Sequence, residues 1–537
     1  MNRTTVIFGA VLLAIIAIVF IVSPVIRTGV SQLNSPDENA YWQSAVKIAA
    51  GEHPRWLEEL NLLPEVTGMI TSRSLLPMGQ WLTPGSFIGL PFWYGWIGRI
   101  TSVQLIPWLT LILTLITAFV FSRLMAKLFG WTAGVIGALL FLSLPAILYF
   151  SGRGLFPNVS FVSLLALSVM CLGSRACWGE ERVLFRFKWQ PAVWSCLVGL
   201  LLGIGLSFRW SESVWVIPLV FVLLWLNRER LHASDLFWMV VGGVMGAVPV
   251  FYEQYVLYGQ WQLTAYDFRA VGAVNGTEAS VVDRILSSIL PFGFHPRQML
   301  NVMWQYVALF NTGWLVFTLA GLYRWWNDAK HPFWIKSYLW LAVIVSGWLL
   351  LYYGSWLFYD NWSWQWTVAT SYHRYLLPLF VVWLPLSVYG LTGLWNYRKI
   401  GSIIVSFLLV VNFGWSVYLV NNGDEGLLTV AKTVEEYQER KTKLLTIVPV
   451  NGIIVTTIGD KWIWPERKVS PYVRNRTDWL FAKVLLEASH PVYLYHFTLQ
   501  GVEYQQLIDS ISSFGLKIEP VEIDFVPKES LYQIKKR

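Results

Sequence analysis

Residues 5–26 read TVIFGAVLLAIIAIVFIVSPVI, an apolar run without a charged side chain. A helix of about 20 such residues is long enough to cross the hydrocarbon core of a bilayer. Ten further apolar windows follow, near 103–121, 131–150, 157–173, 192–207, 211–226, 236–256, 302–323, 337–357, 376–395 and 400–420. The sequence therefore predicts an all-α polytopic membrane protein with about 11 transmembrane helices. We interpret the first as an uncleaved anchor, with a cleaved signal as the alternative.

The composition supports this class. Of 537 residues, 55% are hydrophobic and only 13% are charged, a balance that is not typical of a soluble globular domain. Tryptophan and tyrosine are abundant enough to form aromatic belts at the membrane interfaces. The net charge of +8 comes from basic residues scattered among loops. It therefore indicates membrane topology and contact with anionic lipids, and no nucleic-acid partner is expected.

Basic residues concentrate in alternate linkers between the apolar windows, which the positive-inside rule places in the cytoplasm. The plasma membrane is then the expected location, with a cytoplasmic N-terminus. Residues 1–420 are predicted to form the transmembrane domain, in which 27–102 is a long first outer loop with interfacial helices. After Val420 the chain becomes polar, and strand-like runs such as 453–457 appear. Residues 421–537 are therefore predicted to be a small soluble α/β domain on the outer face.

The stretch 34–42 reads NSPDENAYW and lies just beyond the first apolar helix. One interpretation is a helix start, with Ser35 as N-cap, Pro36 as first residue and Glu38 reaching back to the cap. That interpretation leaves Asp37 only as an acid that complements the helix dipole. We therefore predict that Asp37 has a function of its own, with Glu38 either supporting it or committed to the cap.

Within this stretch, PDENAY at 36–41 resembles the outer-loop acid motif of the GT-C glycosyltransferases, which include protein O-mannosyltransferases and the aminoarabinose transferase of lipid A. Weaker strings resemble the same family in order and position, namely 76–81, 149–153, 199–207 with Arg209, 249–259 and 374–378. The resemblance covers most of the membrane part. It implies a GT-C fold and transfer of a sugar from a polyprenyl-phosphate donor to a glycan, lipid or protein acceptor outside the membrane. In that reaction the acceptor hydroxyl must lose its proton to a nearby carboxylate, so the predicted catalytic residues are Asp37, as general base, and Glu38.

The resemblance also implies cations near the donor, because charge develops on the phosphate as the glycosidic bond breaks. The predicted donor phosphate-binding residues are Arg374, Arg153, Arg209 and Arg73. We favour the first of these, because bidentate arginine suits a phosphate. The predicted substrate-lining residues are Tyr41, Asp267, Glu212, His373 and Asn158. In the alternative interpretation, Arg209 and Glu212 neutralise one another, while Arg153 and Arg374 extend to lipid headgroups.

The chain departs from the family pattern at two places. Asn158 stands where relatives often have an acid, and Leu75 and Leu76 stand where a His or Lys often precedes the proline-glycine turn. Arg73, Asp267 or Glu212 are the candidates to replace the missing groups. Related oligosaccharyltransferases use acids to bind metal, so a divalent cation stays possible here, and no other cofactor is expected.

Two other functions are compatible with many spans and scattered outer charges. One is a transporter or flippase for a lipid-linked or anionic substrate, and the other is a catalytically degenerate membrane scaffold. A transporter usually shows repeats and broken helices in matching positions. We find neither in the sequence, and the large first loop and polar tail are not expected of a rocking bundle. The enzyme is therefore the favoured interpretation.

Overall fold

The computed structural model describes residues 3–28, 33–176, 191–229, 231–261, 264, 290, 292–328, 334–358, 367–423, 425–472, 478–526 and 528–537. The chain forms two compact units. The first unit consists of Met1–Arg27, Pro107–Val250 and Val274–Val430. The second unit consists of Thr28–Ile106, Phe251–Ala273 and Ala431–Arg537.

The helices, in chain order, are α1 (Arg3–Thr28), α2 (Pro36–Ala49), α3 (Gly89–Ile100), α4 (Leu109–Phe129), α5 (Trp131–Leu142), α6 (Pro145–Gly152), α7 (Pro157–Ala176), α8 (Pro191–Phe208), α9 (Ser213–Leu226), α10 (Ala233–Tyr258), α11 (Pro296–Val302), α12 (Thr312–Asn327), α13 (Trp334–Gly354), α14 (Ser371–Tyr375), α15 (Leu377–Trp395), α16 (Arg398–Asn421), α17 (Leu427–Ile447), α18 (Asp460–Ile463), α19 (Leu480–Glu487) and α20 (Gly501–Ser512). The strands are β1 (Trp56–Leu57), β2 (Leu75–Met78), β3 (Trp81–Pro84), β4 (Ile453–Thr456), β5 (Lys468–Pro471), β6 (Val492–Phe497), β7 (Leu516–Val526) and β8 (Glu529–Lys536).

The apolar helices account for every predicted window. In the described part of the chain, six are long and apolar enough to span a membrane: Val103–Phe129, Pro191–Phe208, Ala233–Tyr258, Ser337–Gly354, Leu377–Trp395 and Lys399–Asn421. Two bent pairs, α5 with α6 and Pro296–Leu309 with α12, raise this number to eight. Shorter apolar helices cover Ile15–Arg27, Pro157–Leu172 and Trp210–Leu226. The prediction of a polytopic helical protein is therefore confirmed, and the chain is a multi-pass integral membrane protein.

The sequence did not predict the two bends. Between α5 and α6 the axis turns by 59°. Pro145 occupies the first helical position of α6, where its missing N–H carries no cost, so a new helix begins there. The second bend, of 90°, follows a π-helical segment, Met303–Leu309. There the side-chain amide of Asn311 donates to the carbonyl of Tyr306 at 2.7 Å and satisfies a backbone group that the bend leaves free.

Close helix packing in the first unit depends on glycines. In α8 and α10 a Cβ added at Gly199 would lie 1.8 Å from the carbonyl oxygen of Met239. One added at Gly242 would lie 1.9 Å from that of Cys196. Small residues let helix backbones approach this closely within a membrane. The α8–α10 pair fixes the end of α8, which is followed directly by Arg209.

The second unit is built on a five-stranded sheet of order β5-β4-β6-β8-β7, parallel from β5 to β6 and antiparallel beyond. The prediction of a small C-terminal α/β region is therefore confirmed as part of the fold, and the compact unit that contains it also includes Thr28–Ile106 and Phe251–Ala273. A smaller sheet, β1-β3-β2, lies within the segment 27–102. The two share hydrophobic cores, because Ala40, Leu75 and Leu82 pack in one cluster with Trp462 and Tyr495. The start of α2 is thus supported by the C-terminal segment.

Candidate functional site

Three of the predicted phosphate-binding arginines share aromatic rings in the first unit. The Cζ atoms of Arg153 and Arg374 lie 5.1 and 5.0 Å from the ring centre of Phe156. The Cζ atoms of Arg374 and Arg209 lie 5.2 and 4.6 Å from that of Tyr375. Such cation–π contacts are favourable and are strengthened by desolvation. We call these five residues the arginine–aromatic row.

Arg153 begins the row at the end of α6. The side chain is buried, and Nη1 donates to the hydroxyl of Tyr149 at 2.9 Å. That hydroxyl in turn donates to the carbonyl of Glu425 at 2.8 Å. The following residue must be Gly154, because an added Cβ would lie 2.5 Å from the carbonyl oxygen of Pro107. The tight turn after α6 therefore fixes where Arg153 points.

Asn158, predicted to line the substrate, is buried at the start of α7. Its Nδ2 donates to the backbone carbonyl of Arg374 at 3.2 Å. An aspartate carboxylate has no donor to offer that carbonyl. The asparagine at this position therefore has a structural partner within the row.

Arg374 lies in the short helix α14. Its Nη2 donates to the hydroxyl of Ser371 at 2.7 Å, while Nε is buried without a hydrogen-bond partner. No ion pair of Arg374 is present among the described residues. A buried donor left unsatisfied costs about 1–3 kcal/mol, and more for a charged group. An anion that accepts from this guanidinium would remove that cost.

Arg209 ends the row in a different state. Its guanidinium and the Glu212 carboxylate form an ion pair of 2.7 Å, with side chains 7% and 4% exposed. The Tyr353 hydroxyl and the Trp215 indole also donate to this carboxylate. The charge of Arg209 is thus already matched, as in the alternative interpretation of this pair. The Glu212 carboxylate therefore already has one cation and two further hydrogen-bond donors as partners.

His373, the neighbour of Arg374, is fully buried. Its ring lies edge-on to those of Tyr306 and Phe310, with centroids 4.9 and 4.7 Å away. Burial lowers the pKa of His373 to about 3, so the imidazole is neutral at physiological pH. A neutral ring enclosed by aromatics supports the position of α14.

Sequence reasoning missed the two rings of the row, Phe156 and Tyr375. The signal that was available is their spacing from the arginines, three residues after Arg153 and one after Arg374. Tyr353, which stacks on Tyr375 with centroids 4.7 Å apart, gave no local signal.

In the second unit, Glu38 and Asn39 hold the beginning of α2. Glu38 is fully buried, and its Oε2 accepts from the backbone N–H of Ser35 at 3.2 Å. Asn39 exchanges two hydrogen bonds with the backbone of Leu33, at 2.7 and 3.0 Å. This is the capping arrangement considered for Glu38. The carboxylate of Glu38 is therefore engaged by the fold.

Asp37 differs from Glu38, because its side chain is exposed. Its Oδ1 accepts a hydrogen bond from the hydroxyl of Ser74 at 2.6 Å. Tyr41, one turn further along α2, is buried. Of the two adjacent acids, only Asp37 presents its carboxylate to solvent.

Arg73 directly precedes Ser74, and its side chain is 43% exposed. Its Nη2 lies 2.8 Å from Oδ1 of Asp460, and Nε donates to the same oxygen at 2.9 Å. The charge of Arg73 therefore has a carboxylate partner. Asp267 lies outside the described residues. In the part of the chain that the structure describes, no three His, Cys, Asp or Glu side chains are grouped as a metal site.

No protein-family model matches the chain, and no curated protein sequence does. Solved structures do match. ArnT from Cupriavidus metallidurans in the apo state has a TM-score of 0.54 and 11% identity, and the match covers 98% of each chain. The same protein bound to undecaprenyl phosphate has a TM-score of 0.51 and 12% identity, again over 98% of each chain.

Agreement over the whole length defines the class of fold. The chain has the GT-C fold, as the resemblance of its acid motif implied. Several apolar helices and a small C-terminal region with a sheet are part of that agreement.

Proposed function

We propose that this protein is a GT-C type glycosyltransferase that moves a sugar from a polyprenyl-phosphate donor to a glycan, lipid or protein acceptor on the outer face of the membrane. The observation that carries the proposal is the arginine–aromatic row. Within it, the Arg374 guanidinium keeps a buried N–H without an acceptor. The binding of undecaprenyl phosphate to ArnT, which shares the fold, supports the class of donor.

The row suits a phosphate that gains charge. As the bond from the sugar to the phosphate oxygen breaks, its electron pair passes to the phosphate. Preorganised cations stabilise that charge without reorganising at the moment of reaction. Arg374 supplies donors with the geometry of a phosphate. Arg153 supplies a second guanidinium on the same Phe156 ring.

Asp37 is the proposed general base. It accepts the proton of the acceptor hydroxyl as the oxygen forms a bond to the anomeric carbon of the sugar. Its side chain is exposed and, among the described residues, only Ser74 donates a hydrogen bond to it, which leaves lone pairs for that proton. Glu38 maintains the helix start. Whether a divalent cation assists is tested by assaying the same preparation before and after EDTA treatment.

The test begins with cells of the source organism that lack the protein. We expect an unused polyprenyl-phosphate sugar to accumulate in their lipids and one surface glycan, glycolipid or glycoprotein to lose that sugar, both detected by mass spectrometry. The accumulated lipid is then the donor for an assay with purified protein and an acceptor extract from the same deletion cells. Release of free polyprenyl phosphate is the expected result.

A transporter or flippase gives a different outcome. It would move the lipid across the membrane of proteoliposomes and leave the sugar attached to the phosphate. Intact lipid-linked sugar after incubation with protein and acceptor extract would reject the transferase. A degenerate scaffold would change neither the lipid nor the surface glycan.

We further propose that the N-terminus is cytoplasmic and that the C-terminal domain lies outside the plasma membrane. Val502, on α20, is 73% exposed and suits a Val502→Cys label. Impermeant thiol reagents should label it in intact cells. Labelling only after permeabilisation would reverse the orientation.

A further inference from the structure

One carboxylate of the C-terminal domain holds the segment that contacts Asp37. Asp460 begins α18 and is fully buried. Its oxygens accept from the Arg73 backbone N–H at 2.9 Å, the Arg73 Nε at 2.9 Å and the Ser72 hydroxyl at 3.3 Å. The Asp460 carboxylate thus binds both the backbone and the side chains of residues 72–73. Arg73 lies 387 residues before Asp460 in the sequence.

Ser74 follows directly and is fixed from its other side as well. Its backbone carbonyl accepts from the N–H of Gly85 at 2.8 Å, which closes the base of the β2–β3 hairpin. The side chain is buried, and its hydroxyl donates to Oδ1 of Asp37. The position of this hydroxyl is therefore set jointly by Asp460 and the hairpin.

Helix α18, which carries Asp460, is itself well packed. Trp462, two residues further along α18, is buried and stacks on Tyr437 with centroids 6.0 Å apart and planes at 15°. It also meets Tyr495 edge-on at 5.5 Å. Lys461 lies 4.6 Å above the Tyr437 ring. Because α18 is anchored in this way, a contact to Asp460 has a defined position.

We propose that Asp460 is a positioning residue, which holds residues 72–74 so that the Ser74 hydroxyl orients the Asp37 carboxylate. This inference rests on the proposed function, in which Asp37 accepts the proton. A base must lie within hydrogen-bond reach of its proton in the right direction, and a displacement of about 1 Å can cost about 10²-fold in rate. The C-terminal domain thereby contributes to the reaction through Asp460.

The test uses the full-length protein in detergent micelles. Asp460→Asn keeps the shape of the side chain but removes its charge, and Ser74→Ala removes the donor to Asp37. Glu466→Gln is the control, because it removes another ion pair of the second unit, with Lys441 at 2.8 Å. Hydrogen–deuterium exchange is measured for peptides covering 36–41 and 72–78. Single-turnover transfer is measured with the donor lipid from the deletion cells.

We expect Asp460→Asn to accelerate exchange in both peptides, and Glu466→Gln to change neither. Transfer should fall about tenfold to a hundredfold in Asp460→Asn and Ser74→Ala, with affinity for undecaprenyl phosphate unchanged. The double variant should lose no more than the larger single loss, because both changes act by one route. Ser74→Thr keeps a hydroxyl and should restore transfer.

A merely structural contact predicts losses that multiply in the double variant and follow the fraction of folded protein. That outcome, unchanged exchange in Asp460→Asn, or normal transfer despite faster exchange would each overturn the inference. If Asp460→Asn does not fold, the Ser74 variants still decide. Equal transfer rates for Ser74→Ala and Ser74→Thr would then overturn the inference. Failure of the proposed function is distinguishable, because the parent would then consume no donor while the exchange results still decide the contact.

Discussion

The arginine–aromatic row of the first unit and the acid stretch 34–42 of the second each contain two nearby residues of like charge. In each pair the two residues differ in the partners that the protein provides for the charge. In the row, Arg209 and Arg374 share the Tyr375 ring. Arg209 is buried against Glu212, whereas Arg374 has only the Ser371 hydroxyl as a hydrogen-bond partner for its guanidinium among the described residues. Arg209 is therefore paired with a carboxylate, whereas Arg374 has no carboxylate partner among the described residues.

The acid stretch repeats this division in consecutive residues. Glu38 is fully buried and bonds to the helix start at Ser35. Asp37 is exposed and is contacted by Ser74. In both regions a charged group with a firm partner in the fold lies near one for which the described residues supply only a serine hydroxyl, Ser371 for Arg374 and Ser74 for Asp37. Substitutions of Glu38 and Arg209 should therefore lower stability. Substitutions of Asp37 and Arg374 should instead lower transfer or donor binding.

The largest expected effect comes from Asp37→Asn. The amide keeps the shape of the carboxylate and a carbonyl acceptor for Ser74, but it does not take up a proton at working pH. Loss of a general base lowers rates by about 10²–10⁴-fold. We expect such a fall in single-turnover transfer, with unchanged thermal midpoint and unchanged affinity for undecaprenyl phosphate.

Glu38→Gln is the matched variant on the neighbouring residue. Loss of a cap costs about 0.5–2 kcal/mol, so the thermal midpoint should fall while the rate per folded molecule stays near that of the parent. Near-normal transfer by Asp37→Asn would reduce this stretch to a helix start. It would also redirect the search for the base to another acid.

The next effect concerns stability in the row. Arg209→Leu leaves the Glu212 carboxylate buried without its cation, and breaking a buried pair in this way costs about 3–5 kcal/mol. The thermal midpoint of the purified protein should fall accordingly. The double variant Arg209→Leu/Glu212→Leu should recover much of the loss, because no unpaired charge stays buried. If the single variant is as stable as the parent, Arg209 is not held by the fold and becomes a candidate ligand.

Much of the fold was predictable because the bilayer itself decides it. A run of about 20 apolar residues satisfies its backbone only as a helix in lipid, so each window could be assigned locally. The bends at Pro145 and after 303–309 were missed, because a continuous apolar window does not show where one helix ends and the next begins. The shared core of the first loop and the C-terminal sheet was also missed, because it joins segments about 400 residues apart.

The candidate site shows the same limit. Charge and position near the ends of apolar windows predicted Asp37, Arg153, Arg209 and Arg374 as candidates. The partners that distinguish them come from distant segments, such as Tyr353 for Arg209, 144 residues away. Asp460 lies 387 residues from Arg73. A sequence alone gives no register between such segments, so it names the charges without saying which are already paired.

A smaller effect is expected from Arg374→Ala. Hydrogen bonds to charged groups contribute about 1.5–3 kcal/mol each, so affinity for undecaprenyl phosphate should fall by roughly 10–100-fold. Arg374→Lys keeps the charge but loses the planar fork, and should restore only part of the affinity. Titration of the purified variants measures both. Equal affinity in all three proteins would assign Arg374 to contact with lipid headgroups.

The smallest effect tests His373, the buried neighbour of Arg374, whose ring packs against Tyr306 and Phe310. Burial lowers its pKa to about 3 in the folded protein, against about 6.5 for an unfolded chain. Above pH 6.5 neither state binds a proton at this ring, so its contribution to stability does not vary with pH. As pH falls from 6.5 towards 3, the unfolded state takes up a proton that the folded state does not, and stability decreases by about 1.4 kcal/mol per pH unit. His373→Asn has no titrating ring, so its thermal midpoint should fall less steeply than that of the parent between pH 7 and 5. Parallel slopes for the two proteins would show that the ring accepts a proton in the folded state, and would return His373 to the residues available to substrate.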